Sequence, residues 1–293
     1  MAPVVFQSAP TIEEVVANIR RNTNAVNQLR SNVKVTMDGI PTSVNGTLLV
    51  ERPDRLRLKV GVLGATILDI GSNSERFWIF NKSSFGGQQP AVYYANHQEY
   101  EGSELMQTFN LRPQWIIDAM GLLEFGANEQ VQGPFQRDGL LELHTSVPSA
   151  NGVMNRVIKV DGKTGVVLQQ AIYDQQHRLL GWATSSKHRH FPEQNAVLPG
   201  HIELNIVDPA GQTVKMAVNV QSHSLNSLYV DPQVTWAMPQ PKDVPAFDLT
   251  RIDSNSLQGL FSSNQPIQGG APAPDDQRRR PFQLGRLRGF DLR

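Results

Sequence analysis

The spacing of apolar residues changes from helical to alternating early in this chain. Ile12, Val15, Val16 and Ile19 recur at the interval of a helix turn, and Val26 and Leu29 continue the stripe. Glu13, Asn18, Arg20 and Arg21 occupy much of the remaining circumference. Thr11 and Glu14 stand at the spacing of a capping box, which predicts a helix starting beside them and needing a partner surface for its apolar side. From Val33 the period becomes two. Val33, Val35 and Met37 alternate with Lys34, Thr36 and Asp38, then Gly39-Ile40-Pro41 predicts a turn. A strand carrying Leu48 and Val50 follows, and Pro53 suggests a bend. In Arg55–Val60, Leu56, Leu58 and Val60 face one side while Arg55, Arg57 and Lys59 are expected in solvent.

The next two strands, Ala65–Ile70 and Arg76–Phe80, are apolar on both faces and so predict cover on both. A second helix is expected from Pro113 to Phe125, with Pro113 at its first turn and Gly126 as its stop. Trp115, Ile116, Ala119, Met120, Leu122 and Leu123 make it apolar around much of its surface. The polar stretch from Asn96 to Glu104 before it reads as a mobile connection. Six more strands follow in 140–147, 154–160, 166–173, 179–188, 201–207 and 214–220, separated by hairpin turns such as Asp161–Gly165 and Asp208–Gly211. The pattern predicts an α+β, mostly β chain. A large antiparallel sheet of roughly ten or eleven strands should curl toward a barrel, with helices covering its concave face.

Composition narrows the function classes. Twenty-seven basic and 27 acidic side chains balance, which argues against bulk capture of nucleic acid. No run approaches the roughly 18–20 apolar residues of a spanning helix. Cysteine is absent, which excludes disulfides and thiolate metal sites. The first residues, Met1-Ala2-Pro3-Val4-Val5-Phe6, show no signal peptide.

From Asp253 to Pro274, Ser, Asn, Gln, Gly and Pro dominate, a composition that cannot build a core. From residue 278 on, six arginines face the single acid Asp291. A solvated tail is the first reading of this end. Anionic lipid headgroups, a cell-wall polymer or nucleic acid are the alternatives for it.

Candidate chemistry is sparse. No phosphate loop, nucleophile elbow or zinc-helix motif is present. His188 and His190 share a face, with His177 and His201 on neighbouring strands, but Lys187 and Arg189 beside them would repel a cation. No metal and no cofactor is expected. Asp161, Asp174 and Asp208 open turns, where they cap backbone amides. With no convergent acid–base pair, catalytic residues are not assigned and the chain reads as a non-enzyme. Trp78, Trp115, Trp182 and Trp236 are expected in the core, or, for Trp78 and Trp115, lining an apolar cavity.

Several ordered segments resemble one family. They are Leu49-Val50-Glu51-Arg52-Pro53-Asp54-Arg55-Leu56-Arg57-Leu58, Ile67-Leu68-Asp69-Ile70, and Ser72-Asn73-Ser74-Glu75-Arg76-Phe77-Trp78-Ile79-Phe80-Asn81. Val160–Gly165 and Val234-Thr235-Trp236-Ala237-Met238-Pro239 extend the match. Order and spacing are similar to those of the lipoprotein carriers and acceptors LolA and LolB over about residues 11–240. That leaves residues 1–10 as a leader and 241–293 as a tail. The resemblance implies an open half-barrel whose apolar cleft takes acyl chains of lipids or lipidated proteins, in lipoprotein sorting or lipid handling.

It further implies the periplasm or the periplasmic face of the outer membrane, with peripheral or lipid-anchored association, and a mature form without its signal peptide. The cleft lining expected on this basis is Leu56, Leu58, Leu68, Ile70, Trp78, Phe80, Trp115, Ile116, Met120 and Leu123. Arg52, before the motif proline, matches the arginine that latches the lid in the carriers. Gly61-Val62-Leu63-Gly64 is the one short candidate for an acceptor's protruding loop. The alternative is an interaction module with a permanently filled cleft, binding a partner through its sheet edge or basic tail.

Overall fold

The computed structural model describes residues 2–38, 42–63, 65–82, 89–103, 112–127, 129–149, 152–207 and 211–252. The expected turn at 39–41, Gly64, most of the 208–211 turn and the segment from 253 to 293 lie outside them. Helix α1, Ile12–Asn24, begins as its sequence dictates: Thr11 and Glu14 form the reciprocal capping box. The helix ends earlier than the apolar stripe suggests, because Leu29 already belongs to a strand.

That strand, β1 (Gln28–Met37), opens a meander continued by β2 (Val44–Glu51), β3 (Arg55–Val62), β4 (Ala65–Ser72), β5 (Arg76–Asn81) and β6 (Ala91–Asn96). Short helices α2 (His97–Glu101) and α3 (Gln114–Ala119) follow. A second meander holds β7 (Gln130–Arg137), β8 (Leu140–Ser149), β9 (Gly152–Asp161), β10 (Val167–Tyr173) and β11 (Leu179–Ser186). A small hairpin, β12 (Arg189–Phe191) with β13 (Ala196–Leu198), precedes β14 (His201–Val207) and β15 (Thr213–Leu225). Helix α4, Pro232–Thr235, leads to β16, Ala246–Asp248.

Both meanders join into one open sheet of 14 strands, in the order β16-β6-β5-β4-β3-β2-β1-β15-β14-β11-β10-β9-β8-β7. The seam is the pairing of β1 with β15, where Leu29 meets Leu225 and Met37 meets Met216. Pairing is antiparallel except at one edge, where β16 adds parallel to β6. No helix among the described residues is long and apolar enough to cross a membrane.

Register divides the sheet into an aliphatic face and a reverse face. Cross-strand partners Val50–Leu56, Leu58–Ile70, Val60–Leu68, Val35–Val218 and Ile202–Val218 all lie on the aliphatic face. Most of these side chains form one buried cluster with Ile117, Ala119, Met120 and Leu122, which come from α3 and the chain after it. A second cluster joins Val15 and Ile19 of α1 to Leu123 and to Leu141, Leu143, Ile158 and Val160 of β8 and β9.

The reverse face of β3–β6 carries different chemistry. Arg57 is not in solvent: it is 5% exposed, with Nη2 2.8 Å from Asp69 and its Nη1 donating to the carbonyls of Val234 and Thr235. The guanidinium also sits over the Trp78 ring. Trp78, Phe80 and Val92 form their own cluster, packed by Tyr94, Met238 and Val244. The second cover for β4 and β5 is therefore the C-terminal segment from Pro232 to Val244, called the strap below, and not either of the two expected helices. Chain pairing also continues beyond residue 240, since β16 lies on the edge and Leu249 packs with Tyr93 and Tyr100. The stretch after Asn96 is a capped helical turn with Tyr100 buried, rather than a loose connection.

Because Asp69 is the only carboxylate on the buried Arg57 guanidinium among the described residues, Asp69→Ala leaves an unpaired buried cation. The expected loss is about 3–5 kcal/mol in urea unfolding. An unchanged midpoint would show that the pair does not hold the strap.

Candidate functional site

The site is the segment from Pro113 to Glu129, which lies on the aliphatic face and is called the plug below. Its helix is shorter than the apolar pattern predicts. It ends at Ala119, and Gly121 adopts φ +83°, a left-handed conformation that glycine tolerates without strain. Beyond it, Leu122 and Leu123 continue in irregular chain and are fully buried.

An irregular chain on a hydrocarbon surface leaves peptide carbonyls short of backbone partners, and five carbonyls of the plug accept from side chains, that of Asp118 in addition to the Gly121 amide. Gln170 Nε2 donates to the Asp118 carbonyl at 3.0 Å, and Ser185 Oγ to that of Ala119 at 3.0 Å. Asn22 Nδ2 reaches the Gly121 carbonyl at 2.9 Å, and Thr23 Oγ1 that of Leu123 at 2.8 Å. Arg156 Nη2 donates to the Glu124 carbonyl at 3.1 Å. Asn22 in turn accepts from the Val197 amide at 2.6 Å, tying α1, the plug and β13 together.

Ion pairs close the plug's end. Arg156 bridges the Asp118 carboxylate, at 3.3 Å, and Glu129. Arg52 donates from Nε to Glu124 Oε1 at 2.9 Å and from Nη1 to the Thr23 and Val26 carbonyls at the C-terminus of α1. One arginine therefore touches both α1 and the plug. Burial pushes the Asp118 carboxyl up to about 6; Arg156 and a hydrogen bond from Gln114 oppose the rise, and the charges of Glu124 and Glu129 add to it.

The residues expected in the cleft separate into two sets. Leu56, Leu58, Leu68 and Met120 lie in the main aliphatic cluster, with Ile70 and Ile116 packed on it, and Leu123 lies in the adjoining one. Trp115 lies over Gly181, where an added Cβ would stand 2.3 Å from its ring. Trp78 and Phe80 are on the reverse face. Each pairs with a position of β4, Gly71 or Asp69, whose side points away from Leu68 and Ile70, so alternation places them under the strap. Gly71 is the reverse-face counterpart of Gly181, with an added Cβ 2.1 Å from Trp78.

Asn22, Thr23, Asp118, Arg156, Gln170 and Ser185 were not foreseen. The signal was present: Arg156 interrupts the inward series Met154, Ile158, Val160, and Gln170 and Ser185 stand at inward positions of β10 and β11. The four histidines do not assemble. His188 and His190 line one pocket, His201 bonds Asn219 and Glu203, and His177 sits in a turn. No group of three metal-binding side chains occurs among the described residues. Val62 and Leu63 at the β3–β4 tip are exposed, Leu63 completely.

A raised carboxyl sets the sign of a pH effect. The folded chain binds the Asp118 proton more tightly than the unfolded one, so its contribution is fully present below about 4 and is lost as pH rises through about 6. The stability of the protein relative to Asp118→Asn should rise between pH 7.5 and pH 5 in urea unfolding. A difference independent of pH would place the carboxyl in water.

No protein-family model and no curated protein matches this sequence. Solved structures do. A domain named as a candidate outer membrane lipoprotein-sorting protein of Vibrio parahaemolyticus superposes with TM-score 0.50 at 10% identity, over 75% of this chain and 94% of that one. A DUF1329 family protein of Desulfovibrio piger gives 0.49 at 10% identity, over 75% and 94%. A LolA superfamily protein of Nitrosomonas europaea gives 0.45 at 11% identity, over 78% and 99%. Identity this low speaks for architecture alone, and the open 14-stranded sheet has the LolA-like fold.

Proposed function

We propose that this chain is a non-enzymatic binder of acyl chains, from lipids or lipidated proteins, on the periplasmic side of a Gram-negative envelope. In this reading the aliphatic face is the concave side of a half-barrel, α1 and the plug are its cover, and Leu56, Leu58, Leu68 and Ile70 receive the chain once the plug moves. Arg52 is the latch. The observation that carries the reading is how the plug is held: a six-residue helix and irregular chain, fastened through side-chain donors to backbone carbonyls. Such bonds can be remade with water when the segment lifts.

Magnitudes favour exchange. Burying Ile117, Met120, Leu122 and Leu123 is worth about 1.5–3 kcal/mol each, or roughly 6–12 in all. A chain of about 16 carbons gains on the order of 12 kcal/mol at roughly 0.8 per CH₂. The two occupants of the face are near balance, as a carrier that both loads and releases requires. The raised Asp118 carboxyl lowers the plug's own hold at neutral pH. The sorting function of the similar Vibrio domain, as its name states it, agrees with this reading.

One observation favours a second reading. Leu122 and Leu123 are wholly buried, so the face is filled as it stands, as a permanent core would be. The two diverge in native mass spectrometry of protein purified from a bacterial host without detergent. Acyl binding predicts an added mass, lost on organic extraction, of a fatty acid or phospholipid. Arg52→Leu removes charged hydrogen bonds worth about 1.5–3 kcal/mol, so fluorescent fatty acid should exchange about tenfold or more faster. A clean apo mass with no uptake by either protein would leave an interaction module with a filled cleft. Unchanged affinity and release in Arg52→Leu would remove the latch role alone.

A further inference from the structure

A pocket of about 60 Å³ lies beside the plug, where α1, the β9–β10 turn and the β12–β13 hairpin meet. Its polar wall is built from Asn18, Arg21, Asn22, Thr164, His188, His190 and Asn195, and no aspartate or glutamate lines it. These side chains are placed by structure already described. The capped helix α1 presents Asn18, Arg21 and Asn22 from its final turns, and Asn18 donates both shape and order, bonding the Gly165 carbonyl at 2.9 Å while accepting from Arg21. His190 in β12 and His188 just before that strand both line the pocket.

Asp161 does not line the pocket, although its charge acts on His188. Its Oδ1 is occupied by the amides of Lys163 and Thr164 and the Thr164 hydroxyl, inside its own turn. Burial holds His188 below its usual range, so the standing charge on the wall at neutral pH is that of Arg21. The remaining wall is apolar and meets the core: Ile19 belongs to the cluster around Leu123, and Gly121 is the plug residue whose carbonyl Asn22 holds.

We propose that this pocket is a phosphate site. The Arg21 guanidinium, the His190 ring and the amide N–H groups that Asn18 and Asn22 do not give to backbone carbonyls, around a space of that size, suit one tetrahedral anion and exclude a whole lipid. Resting on the acyl-binding reading, the inference extends to the ligand class: a phosphate held here sets its attached chains beside Gly121 of the plug, next to Leu122 in the aliphatic cluster. The site then favours anionic phospholipid over neutral glyceride, and its occupancy competes for Asn22.

The test uses the full chain and three probes. Inorganic phosphate, followed by ¹H–¹⁵N NMR, should shift the amides lining the pocket saturably, and Arg21→Gln, an exposed change at the helix surface, should weaken it at least tenfold. Calorimetry should show dihexanoyl phosphatidylglycerol binding at least tenfold more tightly than dihexanoylglycerol, an advantage that Arg21→Gln abolishes. Phosphate shifts without a lipid advantage would keep the site and assign it to free phosphate. Phosphate shifts with neither lipid bound would keep the site and sink the acyl reading. Equal binding of both lipids with no phosphate shifts would overturn the phosphate site and leave the acyl reading standing.

Discussion

A peptide carbonyl laid on hydrocarbon must find a donor, and on the aliphatic face of this sheet the strands have none to spare. Their own amides and carbonyls are committed to the ladders. The plug's carbonyls at 119, 121, 123 and 124 therefore depend on Ser185, Asn22, Thr23 and Arg156, and Gln170 adds a second donor to the Asp118 carbonyl, which already takes the Gly121 amide. Much else follows from this demand. It explains polar side chains at inward strand positions where packing alone would choose valine or leucine. It fixes the position of α1, whose Asn22 and Thr23 must reach the plug, and of β13, whose Val197 amide orients Asn22. It also brings Arg156 into the core, and Asp118 and Glu129 with it.

The two faces solve opposite problems with one device. Trp115 on the aliphatic side and Trp78 on the reverse each rest on a glycine, Gly181 and Gly71, because an indole can lie flat on a sheet only where a side chain is missing. The consequences differ. Trp78 is closed under a strap whose Val234 and Thr235 carbonyls accept from the buried Arg57, which Asp69 neutralises. Trp115 belongs to the segment that covers its face, and that segment is held by the side-chain donors Gln170, Ser185, Asn22 and Thr23 together with the ion pairs of Arg52 and Arg156.

Much of this was legible from residues alone. Capping by Thr11 and Glu14, the alternation of Leu56, Leu58 and Val60, and the hairpins of the second meander follow from local chemistry, which acts within a few residues. So did the double-sided cover of β4 and β5, although not its identity. Alternation sorts residues within one strand, but that Trp78 and Leu68 take opposite faces follows only from the register of β5 on β4, a relation between strands, so the sequence placed both in one cleft. Arg57 was misplaced for the same reason: its partner Asp69 lies on the next strand and its other acceptors in the C-terminal segment. The second helix was overextended because apolar content cannot distinguish a buried helix from buried extended chain. β6 and β7, flanking the plug, were passed over, since their residues lack a clean alternation.

The seam between β1 and β15 bears on how the chain can assemble. Asn27 and Asn226, joined there by a backbone-to-side-chain hydrogen bond, stand 199 positions apart. Every other antiparallel pair in the large sheet except β11 with β14 joins neighbours in sequence, and these can form as each hairpin leaves the ribosome. Two separate meanders therefore precede the complete sheet, with the plug as the tether between them. Closing a loop of that length is slow and its entropy is recovered only at the end. The order in which the protein is made is thus written into its topology: the aliphatic face stays divided, with apolar surface open on both halves, until the fifteenth strand arrives.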